Sequence, residues 1–357
     1  MTSFEQYLST LQDDQAVLLT SPISRRYVTA FQSSDGAVFA YQNKILLFLD
    51  MRYYEMATIA KSQGKLPTSV EILHSKDFKD TVIGLTDKGV DRIYFEEKRT
   101  YCSQLDRYKL AYPKASFLPF GDTLEKLRSQ KTPQELEKIK ASQNITEKAF
   151  EHALGCIREG MREAELALEL DFAMRRFGAQ AIAFETVCVF GSNTSLPHGK
   201  PGDRALRRGD FITMDFGANL DGYCSDMTRT VCFGKASEKQ KEVYNLVLRA
   251  QLEALDKIKG NIKGSLADSY GRKIIEDGGY GEYFNHSLGH SLGLEVHESP
   301  NFSPREENIV PCSAVVSVEP GIYLPGEFGV RIEDIVYLTE DGCINLTHSP
   351  KELLELD

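Results

Sequence analysis

Three histidines with the chemistry to bind a metal lie close together in the second half of the 357-residue chain. His286, His290 and His297 fall within twelve residues, although the whole sequence has only seven histidines. Gly289 and Gly293 between them allow the backbone to approach a ligand closely. A lone histidine in an apolar strand is more often packed in a core, but three neighbours in a chain with several acids in apolar runs favour a chemical role.

Two aspartates flank a predicted β-hairpin turn. Between residues 211 and 228, a turn signal at residues 219–222 separates two strand-like runs. If Asn219 pairs with Gly222, Asp215 lies directly opposite Asp226, where two like charges destabilise a sheet. A shared proton, a buried basic side chain or a cation must then compensate them. The alternative is a solvated hairpin whose turn is shifted by one residue.

Two glutamates interrupt apolar, strand-like runs farther along the chain. Glu319 lies in VVSVEP and Glu333 in GVRIEDIV, and the two are symmetric about the turn region 325–327. Pro320 and Gly321 are able to disrupt regular pairing at this place. A glutamate is rarely buried unless it is paired or bound to a metal. Arg331 lies two residues before Glu333, so it shares that strand face and can offset one acid.

The balance of charge among these residues predicts a metal site. The four carboxylates of Asp215, Asp226, Glu319 and Glu333 outweigh the single charge of Arg331. Divalent ions compensate the excess best, with one histidine completing the ligands. Carboxylates with one imidazole suit Mn, Co or Zn rather than copper or an iron–sulfur centre. Two such ions can share a hydroxide and polarise a carbonyl.

Two similar successions of elements are predicted to carry these residues. A capping box at Thr132 and Glu135, with Pro133 at the first helical position, predicts a helix start. Ser237 and Gln240 form a second capping box. Residues 132–234 and 237–339 each predict two helices followed by strands, an internal duplication whose halves would enclose a ligand cleft. The predicted helices cover residues 132–157, 163–177, 237–260 and 266–276, and the predicted strands cover 211–217, 223–233, 314–319 and 329–339.

The first 130 residues alternate short apolar runs with helix-like stretches, which predicts an α/β layer. They contain neither a GxGxxG motif nor a Walker-type loop, and by themselves they indicate no function. The chain is therefore predicted to have two domains, residues 1–130 and 131–357. The predicted strands are 16–20, 37–41, 45–49, 70–73, 93–95 and 117–120, and the predicted helices are 53–61, 76–85 and 101–112.

The composition favours a folded protein without nucleic-acid or membrane partners. There are 52 acidic and 42 basic residues, a net charge of -10 and no Lys/Arg block. Seven cysteines without a CxxC pair indicate reduced thiols, and neither an export signal nor a run of 18 apolar residues is found, so a cytoplasmic location is expected. His74, His152 and His348 have no comparable neighbours in the sequence and are interpreted as surface or core residues.

Together these motifs resemble the dinuclear site of the pita-bread (M24-type) metallopeptidases, which include aminopeptidase P, prolidase and methionine aminopeptidase. The resemblance spans about residues 130–340. It implies a creatinase-like N-terminal α/β domain followed by an α+β pita-bread catalytic domain with pseudo-twofold duplicated halves. The matching residues are Asp215 and Asp226 (in DGYCSDMTRT), His290 (in HSLGHSLGLEVHE), Glu319 (in SVEPGIY) and Glu333 (in GVRIEDIV).

The resemblance implies a role for each of these five residues. Asp215 and Asp226 would bind one metal ion, and Asp226 would bridge to the second. His290 and Glu319 would complete the second site, and Glu333 would bridge both ions. The two ions would be divalent, with Mn expected first and Co or Zn as alternatives. The nucleophile would be a hydroxide that bridges the ions, and Glu319 would accept its proton.

Further residues gain roles from the same resemblance. His198, in the segment LPHG, and His297 would hold the substrate carbonyl, stabilise the tetrahedral intermediate and shuttle a proton to the leaving nitrogen. Thr228 and Arg331 would orient the metal ligands through hydrogen bonds. His286 would have a structural role.

The N-terminal domain directs the functional prediction. Methionine aminopeptidases resemble the catalytic domain with at most short or unrelated extensions, whereas aminopeptidase P and prolidase resemble the two-domain organisation. The expected activity is hydrolysis of the bond between an N-terminal residue and a following proline, by an Xaa-Pro aminopeptidase or dipeptidase. The substrates would be proline-containing peptides, and the assembly would be a homodimer.

Three alternatives remain open at this point. They are a methionine aminopeptidase-like peptidase, a metal-independent creatinase-type hydrolase and a non-catalytic binding protein on the same fold. The creatinase-type reading is weakened because such relatives lack the full carboxylate set. One departure from the family pattern is Ser291, where many members have glycine after the ligand histidine.

Overall fold

The computed structural model of the protein describes residues 2–357 and divides into two compact units. The boundary between the units lies between Arg128 and Ser129. Within residues 2–357, no helix is both long enough and apolar enough to cross a lipid bilayer.

The N-terminal unit is built on one six-stranded mixed sheet. Its strands are β1 (Gln15–Leu19), β2 (Ala37–Tyr41), β3 (Lys44–Leu49), β4 (Val70–His74), β5 (Arg92–Phe95) and β6 (Ser116–Pro119), in the order β4-β3-β2-β1-β5-β6. Strand β2 is antiparallel to β1 and β3, and the other neighbours are parallel. All six strands lie within one residue of their predicted bounds, so the predicted α/β layer is confirmed.

Both faces of this sheet are buried. Along β1, Val17 and Leu19 belong to one hydrophobic cluster, whereas Ala16 and Leu18 belong to another. Side chains alternate between the two faces of a strand, so the apolar run of β1 packs on both sides. The helices of this unit are α1 (Ser3–Leu8), α2 (Pro22–Thr29), α3 (Met51–Ser62), α4 (Phe78–Thr86), α5 (Cys102–Ala111) and α6 (Thr123–Ser129).

The C-terminal unit contains two halves that each have two helices and then strands, as the sequence predicted, except that the short strand β13 lies between the two helices of the second half. The first half comprises α7 (Pro133–Leu154), α8 (Glu163–Arg176), β7 (Ala181–Ile182), β8 (Val187–Phe190), β9 (Phe211–Phe216), β10 (Ala218–Leu220), β11 (Tyr223–Cys224) and β12 (Met227–Phe233). The second half comprises α9 (Glu238–Lys257), α10 (Gly264–Asp277), β13 (Ile262–Lys263), β14 (Gly289–Ser291), β15 (Glu298–Phe302), β16 (Ile309–Val310), β17 (Val315–Val318), β18 (Gly321–Leu324), β19 (Phe328–Arg331), β20 (Asp334–Leu338) and β21 (Cys343–Asn345), after which β22 (Glu355–Leu356) pairs with β12.

Each half has its own sheet, and the two helix pairs pack in different hydrophobic clusters. The first sheet has the order β22-β12-β9-β8 and the second has the order β15-β14-β17-β20-β21. Ala149 of α7 and Leu166 of α8 pack in one cluster with Met214 of β9. Val247 of α9 and Val316 of β17 belong to the other cluster. The two helix pairs therefore cover two different sheets within the same unit.

The hairpin between β10 and β11 turns one residue later than predicted. Leu220 pairs with Tyr223, so Asp221 and Gly222 form the turn, with φ values of 48° and 77°. An Asp-Gly pair with positive φ at both positions closes a two-residue hairpin whose twist matches that of the strands. The predicted pairing of Asn219 with Gly222 is therefore wrong.

The shifted turn changes the partner of Asp215. This residue pairs with Thr228, and its predicted position directly opposite Asp226 is wrong. Both aspartates nevertheless line the same cavity. The alternative prediction is therefore confirmed for the turn shifted by one residue. Its solvated hairpin is wrong, because Asp226 is only 4% exposed.

The two glutamates lie where the chain passes between a sheet and a separate hairpin. The pairs of β17 with β20 and those of β18 with β19 follow one register, in which Glu319 stands opposite Glu333. This agrees with the predicted symmetry about residues 325–327. The predicted single strand 329–339 is instead two strands, because β19 belongs to the hairpin and β20 to the five-stranded sheet.

Candidate metal centre

The five predicted metal ligands come from both halves of the C-terminal unit. Asp215 lies near the end of β9, Asp226 directly precedes β12, and His290 is the middle residue of β14. Glu319 directly follows β17, and Glu333 directly precedes β20. All five side chains line one cavity of about 870 Å³. The structure therefore brings together the residues that the sequence motifs singled out.

The centre of this cluster is compact. Ligand atoms of Asp226, His290 and Glu333 all lie within 4.8 Å of one another. His290 Nε2 lies 3.5 Å from Asp226 Oδ2 and 3.3 Å from Glu319 Oε1. One cation could contact several of these atoms at once.

Arg331 and Thr228 contact the acids of the cluster directly. Arg331 donates from Nη2 to Asp215 Oδ2 at 2.6 Å and from Nε to Thr228 Oγ1 at 3.0 Å. Thr228 Oγ1 in turn donates to Glu333 Oε2 at 2.6 Å. The Arg331 side chain is only 4% exposed. These contacts hold two of the predicted ligands in fixed orientations.

Ser317 is a polar neighbour of the cluster that the sequence analysis did not single out. Its Oγ donates to Glu319 Oε1 at 3.0 Å and accepts from the backbone N–H of His290 at 3.0 Å. Ser317 precedes Glu319 by two residues, and this strand spacing is the signal that could have identified it. The hydroxyl links a glutamate to the strand that carries the histidine.

Tyr323 is a second neighbour that the sequence analysis missed. Its hydroxyl accepts from Arg331 Nη1 at 2.8 Å and lies 2.9 Å from His286 Nε2. Burial raises the pKa of Tyr323 to about 12, so the phenol stays protonated at neutral pH. His286 Nδ1 lies 2.8 Å from the carbonyl oxygen of Ser287, and these two contacts suit a structural role for His286.

Two histidines lie at the open side of the cavity. His198 and His297 both line it, and both are exposed. The ring centroids of His290 and His297 are 4.5 Å apart. Partial burial lowers the pKa of His297, and the charge of His290 lowers it further. His297 is therefore neutral at neutral pH and able to donate or accept a hydrogen bond.

Burial and mutual repulsion disfavour the charged form of most acids in the cluster. Burial raises the pKa of Asp226 and of Glu333 well above the usual range, and the neighbouring carboxylates raise both further. Burial also raises the pKa of Asp215, although a guanidinium opposes the shift. Burial alone would raise the pKa of Glu319, but the hydrogen bond with His290 lowers it to about 2.

The donor atoms of the cluster suit divalent cations. Within residues 2–357, Asp215 Oδ1 and Asp226 Oδ1 are buried and have no hydrogen-bond partner. Buried polar atoms are normally satisfied, so these two oxygens are candidate ligands. Carboxylate oxygens with a single imidazole nitrogen match the preferences of Mn²⁺, Co²⁺ and Zn²⁺.

The wall of the cavity has an apolar side. Leu168 of α8 contributes to it together with Ile182, Phe184 and Val296. An apolar wall above a few convergent polar groups is typical of a site that orients a small ligand.

A buried ion pair lies behind the cluster. Arg229 Nη2 donates to Asp334 Oδ1 at 2.8 Å, and both side chains are at most 1% exposed. Arg229 Nη1 also donates to the backbone oxygens of Glu333 at 2.6 Å and Thr228 at 3.0 Å. Burial alone would raise the pKa of Asp334, but the charges of Arg229 and Lys351 lower it. The pair therefore fixes the backbone at Glu333 and at Thr228, next to the cluster.

Two family models match most of the chain. Residues 137–340 match the model described as Metallopeptidase family M24. Residues 3–130 match the model described as Creatinase/Prolidase N-terminal domain.

Individual relatives match over nearly the whole length. An Xaa-Pro dipeptidase from Pyrococcus furiosus is 36% identical over 339 residues, which cover 95% of this chain and 94% of the relative. The solved structure of an Xaa-Pro dipeptidase from Bacillus anthracis has a TM-score of 0.92 at 39% identity and covers 99% of both chains. That of an X-Pro aminopeptidase from Thermotoga maritima has a TM-score of 0.89 at 38% identity and covers 98% of both chains.

Proposed function

Because this chain belongs to metallopeptidase family M24 and carries the Creatinase/Prolidase N-terminal domain, we propose that it hydrolyses the peptide bond between an N-terminal residue and a following proline. The observation that carries the proposal is the convergence of four carboxylates and one imidazole on a single cavity. The names of the relatives from Pyrococcus furiosus, Bacillus anthracis and Thermotoga maritima support the choice of proline.

The proposed cofactors are two divalent ions, Mn²⁺ first and Co²⁺ or Zn²⁺ as alternatives. Asp215 and Asp226 would hold one ion, and Asp226 would also contribute to the site of the other. His290 and Glu319 would complete the second site, and Glu333 would contribute to both. When bound, the ions would polarise the scissile carbonyl and acidify the attacking water. The two buried aspartate oxygens without hydrogen-bond partners support this assignment.

The remaining steps belong to side chains of the protein. Glu319 accepts the proton of the attacking water. His198 and His297 donate hydrogen bonds to the carbonyl oxygen as it becomes negative. His198 and His297 then shuttle the proton that Glu319 has taken to the leaving nitrogen, each imidazole accepting a proton on its free ring nitrogen before it gives one up. Thr228 and Arg331 keep the acids oriented during these steps.

The cavity wall supports the preference for proline. An Xaa-Pro bond has no N–H to donate, so the substrate cannot pair with the enzyme there as an ordinary strand does. The apolar side formed by Leu168, Ile182, Phe184 and Val296 offers a surface for the pyrrolidine ring. Recognition of the ring then replaces the missing hydrogen bond.

The cellular setting is proposed on separate grounds. No disulfide joins any of the seven cysteines within residues 2–357, which suits a reducing compartment, and the cytoplasm is the proposed location. A homodimer is the assembly that the family resemblance implies.

Peptidase assays on three kinds of peptide, before and after metal is restored to the stripped protein, test the proposal. The protein is stripped with a chelator, reloaded with Mn²⁺ or Co²⁺ and assayed on Xaa-Pro, Xaa-Pro-Yaa and Met-Ala-Yaa peptides. We expect cleavage of Xaa-Pro bonds only after reloading. Relative rates on the first two peptides separate a dipeptidase from an aminopeptidase.

The other outcomes discriminate between the alternatives. If kcat/KM were higher on Met-Ala-Yaa than on the Xaa-Pro peptides, the protein would be a methionine aminopeptidase-like peptidase without proline specificity. Full activity of the stripped protein would contradict the metal centre. Failure to cleave any peptide, despite stoichiometric metal binding, would favour a non-catalytic binding protein.

A further inference from the structure

Three potential metal ligands lie together outside the candidate centre. His152 is in the last turn of α7, Cys156 follows that helix, and Glu169 is on α8. Their ligand atoms all lie within 4.8 Å of one another. None of the three lines the cavity that holds the candidate centre. His152 has no comparable neighbour in the sequence, because Glu169 reaches it only through the packing of the two helices.

The two distances from His152 are close to those between ligand atoms around a tetrahedral ion. His152 Nε2 lies 3.6 Å from Cys156 Sγ and 3.6 Å from Glu169 Oε2. Zinc with bonds of about 2.0 Å to imidazole and about 2.3 Å to thiolate places those nitrogen and sulfur atoms about 3.5 Å apart. The side chains would therefore need only small adjustments to bind one ion.

We propose that His152, Cys156 and Glu169 form a second metal site, which binds one zinc-like ion with water as the fourth ligand. Nitrogen, sulfur and oxygen donors in this combination suit Zn²⁺ and its substitutes Co²⁺ and Cd²⁺. The thiolate and the carboxylate together balance the double positive charge of the ion. On binding, the thiol proton is released to solvent as the metal–sulfur bond forms.

The surroundings of the thiol argue against a catalytic role for Cys156. Burial raises its pKa, and the charge of Glu169 raises it further, whereas Arg158 and Arg176 oppose the shift. Without metal the sulfur is therefore mainly a neutral thiol, which is a poor nucleophile. The two arginines also favour the thiolate that a metal requires.

The site would have a structural effect on the catalytic half that contains it. The ion would tie the C-terminal end of α7 to the middle of α8. The residue next to Glu169 is Leu168, which lines the candidate active-site cavity. A bound ion would thus restrain the helix that forms part of the cavity wall.

Cobalt titration tests the proposal because a cobalt–thiolate bond gives a charge-transfer absorption that oxygen and nitrogen ligands do not. Metal-stripped protein is titrated with Co²⁺ as wild type, Cys156→Ser and the matched control Cys102→Ser, whose cysteine is exposed and outside the group. We expect the thiolate band in wild type and in the control, and its loss in Cys156→Ser. Glu169→Gln should weaken binding without abolishing the band at high cobalt concentration.

Two results would overturn the second site. One is the absence of the band in wild-type protein at saturating Co²⁺, and the other is a band that persists in Cys156→Ser. Asp226→Asn, which removes a predicted ligand of the candidate centre, should keep the band. Failure of the proposed peptidase and failure of this site are therefore measured separately.

Discussion

Thr228 Oγ1 lies 2.6 Å from Glu333 Oε2, although the two residues belong to different halves of the C-terminal unit. The same hydroxyl accepts a hydrogen bond from Arg331 Nε at 3.0 Å. Thr228 is fully buried, so water cannot take the place of its hydroxyl. A single oxygen atom thus joins a predicted bridging ligand from one half to a strand of the other.

Replacing this hydroxyl should weaken metal binding. Thr228→Val keeps the shape of the side chain but leaves Glu333 and Arg331 each without one hydrogen bond. Loss of such an outer contact typically lowers metal affinity or activity by about 10- to 100-fold. Calorimetric Mn²⁺ titration and kcat/KM on an Xaa-Pro peptide measure the effect. Thr228→Ser, which retains the hydroxyl, should stay near wild type; equal losses in both variants would contradict this role.

Neutralising a central acid should abolish hydrolysis and empty the candidate centre, leaving only the ion of the second metal site bound. Asp226→Asn or Glu333→Gln removes a charged ligand from the proposed centre. We expect no metal beyond that ion by elemental analysis, and hydrolysis at background level. Asp221→Asn is the matched control, because Asp221 lies in the exposed turn of the same hairpin. Wild-type metal content in Asp226→Asn would remove the basis of the proposed centre.

The same Asp226→Asn variant should stabilise the metal-free protein, and increasingly so as pH rises. The raised pKa of Asp226 means that the folded state holds this proton more tightly than the unfolded state, where aspartate titrates near pH ~3.9. The stability contributed by that proton is present below about pH 4 and is lost as pH rises towards the folded pKa. Asparagine mimics the protonated acid and does not titrate.

Urea unfolding of both stripped proteins across this pH range measures the difference. The advantage of the variant should be small at pH ~4 and grow by at most about 1.4 kcal/mol per pH unit above it. Saturating Mn²⁺ should reverse the order, because only the wild type gains binding energy, about 2.7 kcal/mol at 100 times the Kd. A difference that is independent of pH would contradict the raised pKa.

His297 should affect turnover more than binding. Its imidazole lies at the open side of the cavity and shuttles a proton in the proposed mechanism, and loss of a proton-transferring side chain typically lowers the rate by about 10²- to 10⁴-fold. His297→Gln should therefore lower kcat strongly, change KM less and leave metal content intact. His348→Gln, at an exposed histidine, is the control. A normal kcat with a raised KM would assign His297 to ground-state binding instead.

The buried pair of Lys131 and Glu298 should support the loop that carries His297. Lys131 Nζ lies 3.2 Å from Glu298 Oε2, and their side chains are 1% and 5% exposed. Removing one partner of a buried pair typically destabilises by about 3–5 kcal/mol. Lys131→Met should therefore lose stability in urea unfolding, and Lys131→Met combined with Glu298→Gln should lose less than the sum. Additive losses would show that the two charges do not stabilise each other.

Features with local causes were predictable from the sequence. Helices α7 and α9 begin directly after Thr132 and Ser237, because each capping box forms hydrogen bonds within three residues. Glu319 and Glu333 were identifiable because an acid in an apolar run needs a partner for its charge, whichever strands pair around it. These signals do not depend on the rest of the fold.

Features that depend on packing between distant segments were not predictable in the same way. The positive φ values of Asp221 and Gly222 place the turn at these two residues and so decide the strand register. As a result Asp215 pairs with Thr228, and not with Asp226 as a turn one residue earlier would require. Tyr323 reaches Arg331 only because β18 folds back on β19. The break between β19 and β20 reflects two different sheets, which an apolar run alone does not reveal.

The hairpin of β18 and β19 lies between the two glutamates, with Glu319 two residues before it and Glu333 two residues after it, so its length can change without moving either carboxylate. Adding one residue to each strand at the tip, around residues 325–327, preserves the register below and leaves Glu319 opposite Glu333. Adding one residue to a single strand would instead slide the two carboxylates past each other. In natural variants, insertions and deletions in this hairpin should therefore change both strands by the same number of residues. A tag or reporter could be inserted at the tip without moving either glutamate.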